Sequence, residues 1–394
     1  MKSRHNLSHQ LVFLIGCTYY FFAPLILGYV GAFNSLESLS FLDKYFEPND
    51  VNWPFLVTFI FFGTVSYLLG AFCINQPKTF PKSVETRRSH AGTWTLFFLY
   101  GLAMLMLAFQ ARVLLFSGYS NMPDSGLVGP IATLQMFLLF QYLYERSAHC
   151  SIASAFALLL IINSYVLLSM GGRLYVISAL AAIYFRWWNW GADSKRTQLR
   201  SLLLVLFVIL VSVVIGMWRV GESDYSSAIF YLTAEANLIS ISAFTLFTGG
   251  NWLPIDAPFE FLLSFTNLIP SVLWPEKSEW LASFINTMQN YQTPFGGVSI
   301  IASTISNFGY IGGLLFFFTV GLCMSKVGCT RSDPAREARY SCLVGMLPFM
   351  FFRDPFQVQV KIVLIFQILY LITRILKKRN FSSRHEGSTD LFCS

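Results

Sequence analysis

WPFLVTFIFFGTVSYLLGAFCI, Trp53 to Ile74, is a run of 22 residues without one charged side chain. An α-helix rises ~1.5 Å per residue and the hydrocarbon of a bilayer is ~30 Å thick, so a run of this length crosses once. Similar runs recur outward in both directions, over residues 10–32, 92–116, 127–145, 151–170, 174–190, 201–218, 299–324, 340–352 and 356–376. They predict a single integral membrane domain over residues 1–394, an all-α polytopic protein with about 10 transmembrane helices, 10–12 depending on how residues 226–275 thread. Composition agrees: 55 % of the residues are hydrophobic and 12 % charged, with 40 Phe and a mean hydropathy of +0.57. Soluble domains carry about 25 % charge, which excludes a water-soluble enzyme. The alternating segments of ~10 residues that mark an outer-membrane barrel are missing.

Orientation follows from the cations, because cytoplasmic loops collect Lys and Arg. Twenty of the 27 fall in alternate loops and in the two termini, which predicts that both termini are cytoplasmic. Lys2 and Arg4 precede a first apolar run too long for a signal-peptide core and without a small-residue cleavage site, so a retained helix is expected. Residues 219–298 form one long outer segment, and residues 377–394 a polar cytoplasmic tail. Within the outer segment, Ser226 to Phe247 is apolar enough to be an interfacial or re-entrant helix, or one half of an in-and-out pair with Phe259 to Trp274. No Cys lies in the outer segments, so no disulfide framework is expected there.

Seven cations are left over: Lys44, Arg112, Arg173, Arg219, Lys277, Arg353 and Lys361. A single terminal Arg can snorkel to headgroups, but several converging on a leaflet normally depleted of them point to an anion site. Arg173 follows Gly171 and Gly172 in a tight turn, Arg219 closes the seventh span, and Arg353 opens the tenth. There Asp354 suits the N-cap and Pro355 the first helical position, with Lys361 two turns deeper on the same face. The planar guanidinium fork fits a phosphate, and a helix N-terminus adds a dipole of favourable sign. A pyrophosphate at the outer surface is the expected ligand. Carboxylates for general-base work on that side are Glu222, Asp224, Glu235, Asp256, Glu260, Glu276 and Glu279. The five His all fall on the cytoplasmic side, and neither a metal nor a cofactor is expected.

The order of motifs carries a family resemblance. NLIPSVLWPEK (Asn267 to Lys277) is followed by GGVSIIASTISNFGYIGG (Gly296 to Gly313) and FFRDPF (Phe351 to Phe356), after SMGGR (Ser169 to Arg173) and a span ending in Arg219. Over residues 165–376 this resembles the Wzy-type O-antigen polymerases, the oligosaccharide repeat-unit polymerases. The resemblance implies a glycosyltransferase-C-like fold with a long periplasmic loop containing short helices. It also implies transfer of a growing glycan from undecaprenyl pyrophosphate onto a lipid-linked repeat unit at the periplasmic face of the inner membrane.

Arg173, Arg219 and Arg353, helped by Lys361 and Arg112, would then bind the donor pyrophosphate, with Glu222, Asp224 or Glu235 as the base. Asp354, Asn267, Pro270, Trp274, Pro275, Lys277 and Asn307 complete the expected substrate-binding set. Expected partners are the undecaprenyl-pyrophosphate-linked oligosaccharide, membrane lipids, a chain-length regulator and a flippase, with no nucleic acid. An O-antigen ligase or a lipid-linked oligosaccharide flippase are the alternatives. A ligase typically adds an outer His, and a transporter puts charges near the bilayer midplane.

Overall fold

A computed structural model describes residues 8–29, 51–74, 91–112, 127–147, 152–170, 172–191, 228–248, 258–269, 273–277, 279–281, 283, 297–329 and 333–389. Among them the chain is helical, with no strand. Five helices are long and apolar enough to cross a membrane: His9–Leu27, Trp53–Phe72, Gly92–Ala111, Ile300–Cys329 and Phe356–Ile375. The protein is multi-pass.

In chain order the helices are α1 (His9–Cys17), a π-helical turn (Thr18–Phe22), α2 (Ala23–Tyr29), α3 (Trp53–Phe72), α4 (Ala91–Ala111), α5 (Val128–Ser147), α6 (Ala153–Ser169), α7 (Arg173–Gly191), α8 (Ala228–Thr248), α9 (Phe259–Ser264), α10 (Ile300–Cys329), α11 (Pro334–Met346), α12 (Met350–Arg353) and α13 (Phe356–Thr389). Local chemistry explains several of these boundaries. Ser8 caps α1 by accepting the Leu11 amide at 3.3 Å, and Pro54 stands in the first turn of α3, where its missing N–H costs nothing. The π turn lies just before Pro24, which cannot donate to the Tyr20 carbonyl four residues back. The ladder widens instead, and the Ala23 amide bonds the Thr18 carbonyl.

Three expectations change. Ser226 to Phe247 is helical as expected, over α8, 21 residues long. Its supposed partner, Phe259 to Trp274, is helical only through α9 and a 3-10 turn, Phe265–Leu268, and does not make a second span. Ile269 there is extended (φ −70°, ψ 121°), as the residue before a proline prefers. The expected span 340–352 is two pieces, α11 and α12, and the helix that follows runs on to Thr389 through most of the expected tail. The expected span 201–218 lies outside the described residues.

The chain divides into two compact units: residues 1–75, 184–325 and 346–361 form the first, and 76–183, 326–345 and 362–394 the second. The core of the first is aromatic. Phe13 stacks on Tyr67 with ring centres 3.6 Å apart, and Phe352, fully buried, meets Phe13 at 5.3 Å, Tyr20 at 5.8 Å and Phe21 at 5.0 Å. Gly16 makes the room: a Cβ there would overlap the Phe352 ring. Helices α3 and α10 cross backbone to backbone, since a Cβ on Gly70 would strike the Phe318 carbonyl and one on Gly321 the Tyr67 carbonyl. Within α10, Gly309 takes φ 68° and ψ −179°, a conformation open to glycine alone, and breaks the helix directly after Asn307 and Phe308.

The second unit packs α4, α5, α6 and α7 around Ala111, Ile131, Val166, Leu167, Met170 and Val176. A buried polar ladder joins α5 to α6: the Asn163 side-chain amide donates to Gln135 Oε1 at 2.8 Å, and Gln135 Nε2 donates to the Ser164 hydroxyl at 2.7 Å. Each polar group is satisfied by another, as a low-dielectric interior requires.

Candidate functional site

The site grows from the pair Phe351 and Phe352. Both are buried in the aromatic core of the first unit, which fixes the next residue, Arg353, at the end of the short α12. Pro355 then forces Asp354 into an extended conformation (φ −89°, ψ 144°), and α13 starts at Phe356. Arg353 therefore closes one helix instead of opening the next, and Pro355 precedes the first helical position expected for it. Rather than capping α13, the Asp354 carboxylate accepts from Arg353 Nη1 at 3.5 Å. Gln359, one turn into α13, holds the bend by donating its amide to the carbonyls of Phe351 at 3.1 Å and Asp354 at 2.5 Å.

Glu235 of α8 meets this bend. Its Oε1 lies 2.7 Å from Arg353 Nε, with side-chain exposures of 14 % and 27 %. The two side chains form a close, partly exposed ion pair. The segment entering α10 locks the two together: the Val298 amide donates to the Arg353 carbonyl at 3.0 Å, and the Ser299 amide to the Ser242 hydroxyl of α8 at 2.8 Å. Gly297 lies where a Cβ would stand 3.0 Å from Ile239, so the small residues before α10 serve close packing here. On the other flank, the π turn packs on α8 and carries Tyr20, whose ring stacks on Phe352. The Tyr20 phenol is close enough to Glu235, Arg353 and Asp354 to feel their charges.

Burial raises the Asp354 carboxyl from 3.8 to about 6; the Arg353 charge pulls it down and the Glu235 charge pushes it up again. The folded state thus holds this proton more tightly than the unfolded chain. The stability it adds is complete below pH ~4 and is lost as pH rises through ~6, a swing of roughly 3 kcal/mol at most. The thermal midpoint of purified protein is expected to fall between pH 4 and pH 6, and Asp354→Asn to flatten that fall.

A second polar group lies in the same unit. Asn307, in the NFG segment, donates to Glu260 Oε2 at 3.0 Å and to the Ser303 carbonyl at 2.8 Å, and accepts the Phe261 amide at 2.9 Å. Ser303 donates to Glu260 Oε1 at 3.5 Å. Asn307 thereby pins α9 to α10. The rings of Phe261 and Phe308 both meet Phe356, at 5.5 and 5.8 Å, which joins this group to the start of α13. Lys277 is 7 % exposed and its ammonium donates to the Ile269 carbonyl at 2.5 Å; burial lowers its pKa. Lys361, half-buried in α13, feels the Lys277 charge. Trp274 packs on Trp280 at 5.2 Å, and Pro275 is exposed. An apolar groove of about 520 Å³ opens beside Tyr310, lined by Pro54, Phe55, Thr58, Phe62 and Leu314.

In the second unit, Arg173 stands exposed at the first residue of α7, and the Gly172 amide donates to the Leu167 carbonyl at 2.7 Å. A cation at a helix N-terminus works against the dipole, so helix stability does not account for it. Arg112, exposed just past α4, lies over the Phe109 ring at 4.0 Å. Both flank the cluster of Ala111, Met170 and Val176, and so stand at one end of that unit.

Of the remaining expected residues, Arg219, Glu222, Asp224 and Pro270 lie outside the described residues, as does the Asn267 side chain. Tyr20 was not among those expected from the sequence. Its one signal was Pro24, four residues on, where a regular helix cannot continue. Comparison with family profiles, curated proteins and solved structures matched this chain to none of them.

Proposed function

We propose that the protein is an O-antigen polymerase of the inner membrane, with 10–12 spans and both termini cytoplasmic, transferring a glycan from undecaprenyl pyrophosphate to a lipid-linked repeat unit. The observation that carries this reading is the contact of Arg353 with Glu235 at the bend of FFRDPF, tied to the segment entering α10. Segments far apart in sequence bring one anion-binding group and one carboxylate together as an ion pair.

In the resting protein Glu235 neutralises Arg353. A donor pyrophosphate competes for the guanidinium and leaves the carboxylate free to accept the proton of the acceptor hydroxyl. The acceptor oxygen bonds to the anomeric carbon, the sugar–phosphate bond breaks, and the lipid pyrophosphate departs with the electron pair, its charge held by Arg353. Glu260 and Asn307 offer the carboxylate and amide chemistry that sugar hydroxyls accept. The groove beside Tyr310 suits a polyprenyl chain. Purified protein given lipid-linked repeat units, without nucleotide sugar or lipid A core, is expected to lengthen them. A ligase or flippase would leave them as single repeats.

A further inference from the structure

We infer, on the reading just proposed, that the Tyr20 hydroxyl donates a hydrogen bond to the phosphate that Arg353 receives, making Tyr20 a substrate-contacting residue. Tyr20 is 4 % exposed, and its hydroxyl oxygen has no hydrogen-bond partner among the described residues. Burying a hydroxyl unpaired costs about 1–3 kcal/mol. Phenylalanine in its place would keep the stack on Phe352 and the edge contact with Tyr19 at 4.8 Å without that cost. Packing therefore accounts for the ring and leaves the oxygen unexplained.

The surroundings supply the explanation. The ring lies flat on Phe352, interplanar angle 10°, and Phe352 immediately precedes Arg353. The π turn that carries Tyr20 packs on α8, the helix of Glu235. Such turns displace one residue from the helical register and are frequent at functional sites. The charges of Glu235, Arg353 and Asp354 reach the phenol, and its hydroxyl can donate to a phosphate that has drawn Arg353 away from Glu235. A phenol is neutral near pH 7, so it adds a donor without adding a charge.

The test uses full-length protein in detergent with two probes, inorganic pyrophosphate and undecaprenyl pyrophosphate, and compares wild type, Tyr20→Phe and Arg353→Ala. For Tyr20→Phe the thermal midpoint is expected to stay the same or rise, because an unpaired polar atom has gone. Affinity for both probes is expected to fall by the same factor, about 10-fold or more, as for loss of one hydrogen bond to a charged group. Wild-type affinity in Tyr20→Phe with weakened binding in Arg353→Ala overturns the role of Tyr20 and leaves the arginine reading standing. Undiminished binding in both variants overturns both. A loss confined to the lipid probe puts Tyr20 on the polyprenyl chain and also overturns the inference.

Discussion

Arg353→Ala is expected to abolish chain extension, by 100-fold or more, while the protein remains folded in the membrane. Removing a donor aimed at developing negative charge costs about 100- to 1,000-fold in comparable sites. The backbone at Arg353 is held independently of its side chain, by the buried Phe351 and Phe352 and by the Val298 amide on its carbonyl. The guanidinium is partly exposed, so truncation opens no large cavity. Lysine should not rescue it, since an ammonium lacks the planar fork that matches a phosphate. Glu235→Gln separates the two roles on the proposed reading: the amide cannot take the acceptor proton, so turnover falls, whereas pyrophosphate binding holds or tightens because Arg353 is no longer neutralised. The checks are product ladders on a gel and pyrophosphate affinity of the purified variants. Equal loss of binding in both variants would mean that the pair is only a structural clasp.

The largest effect on folding is expected at the crossing of α3 and α10. Gly70→Ala places a methyl against the Phe318 carbonyl, and Gly321→Ala against the Tyr67 carbonyl. Both obstacles are backbone and cannot rotate away, so the helices must part. Overpacking of this kind costs about 1–3 kcal/mol per site, and losing the contact between two spans costs more. Each single variant is expected to lower the thermal midpoint by several degrees, and the double variant to fail to yield monodisperse protein. Gly101→Ala is the control: a Cβ there meets nothing within 4 Å, and alanine is the better helix former. A stable double variant would show that the crossing is wider than described.

What the sequence made legible was what local chemistry decides. The uncharged run beginning at Trp53 is a helix from that residue, with Pro54 in its first turn. One helix ends at Ser169 and the next starts at Arg173, as SMGGR led one to expect. Proline also explains a reading that slipped: Pro355 keeps Asp354 out of the helix, so Arg353 ends α12. Pro24 likewise accounts for the π turn inside the first expected span. Pairings between distant segments were not legible. Glu235 was one acid among several until α8 packed beside the bend that carries Arg353. That the Asn307 side chain joins α9 to α10 through Glu260 and Phe261 had no sign in the sequence. Pro24 marked the turn that carries Tyr20, but nothing local marked its hydroxyl, whose lack of a partner among the described residues shows only in the fold.

The proposed reading makes one claim above the others, that this chain by itself joins lipid-linked repeat units. The most direct measurement is the length of the glycan after purified protein has been incubated in lipid vesicles with undecaprenyl-pyrophosphate-linked repeat units and nothing else. A ladder of products, lost in Arg353→Ala, is the predicted result. Repeat units unchanged in length, with folded wild-type protein present, would contradict it.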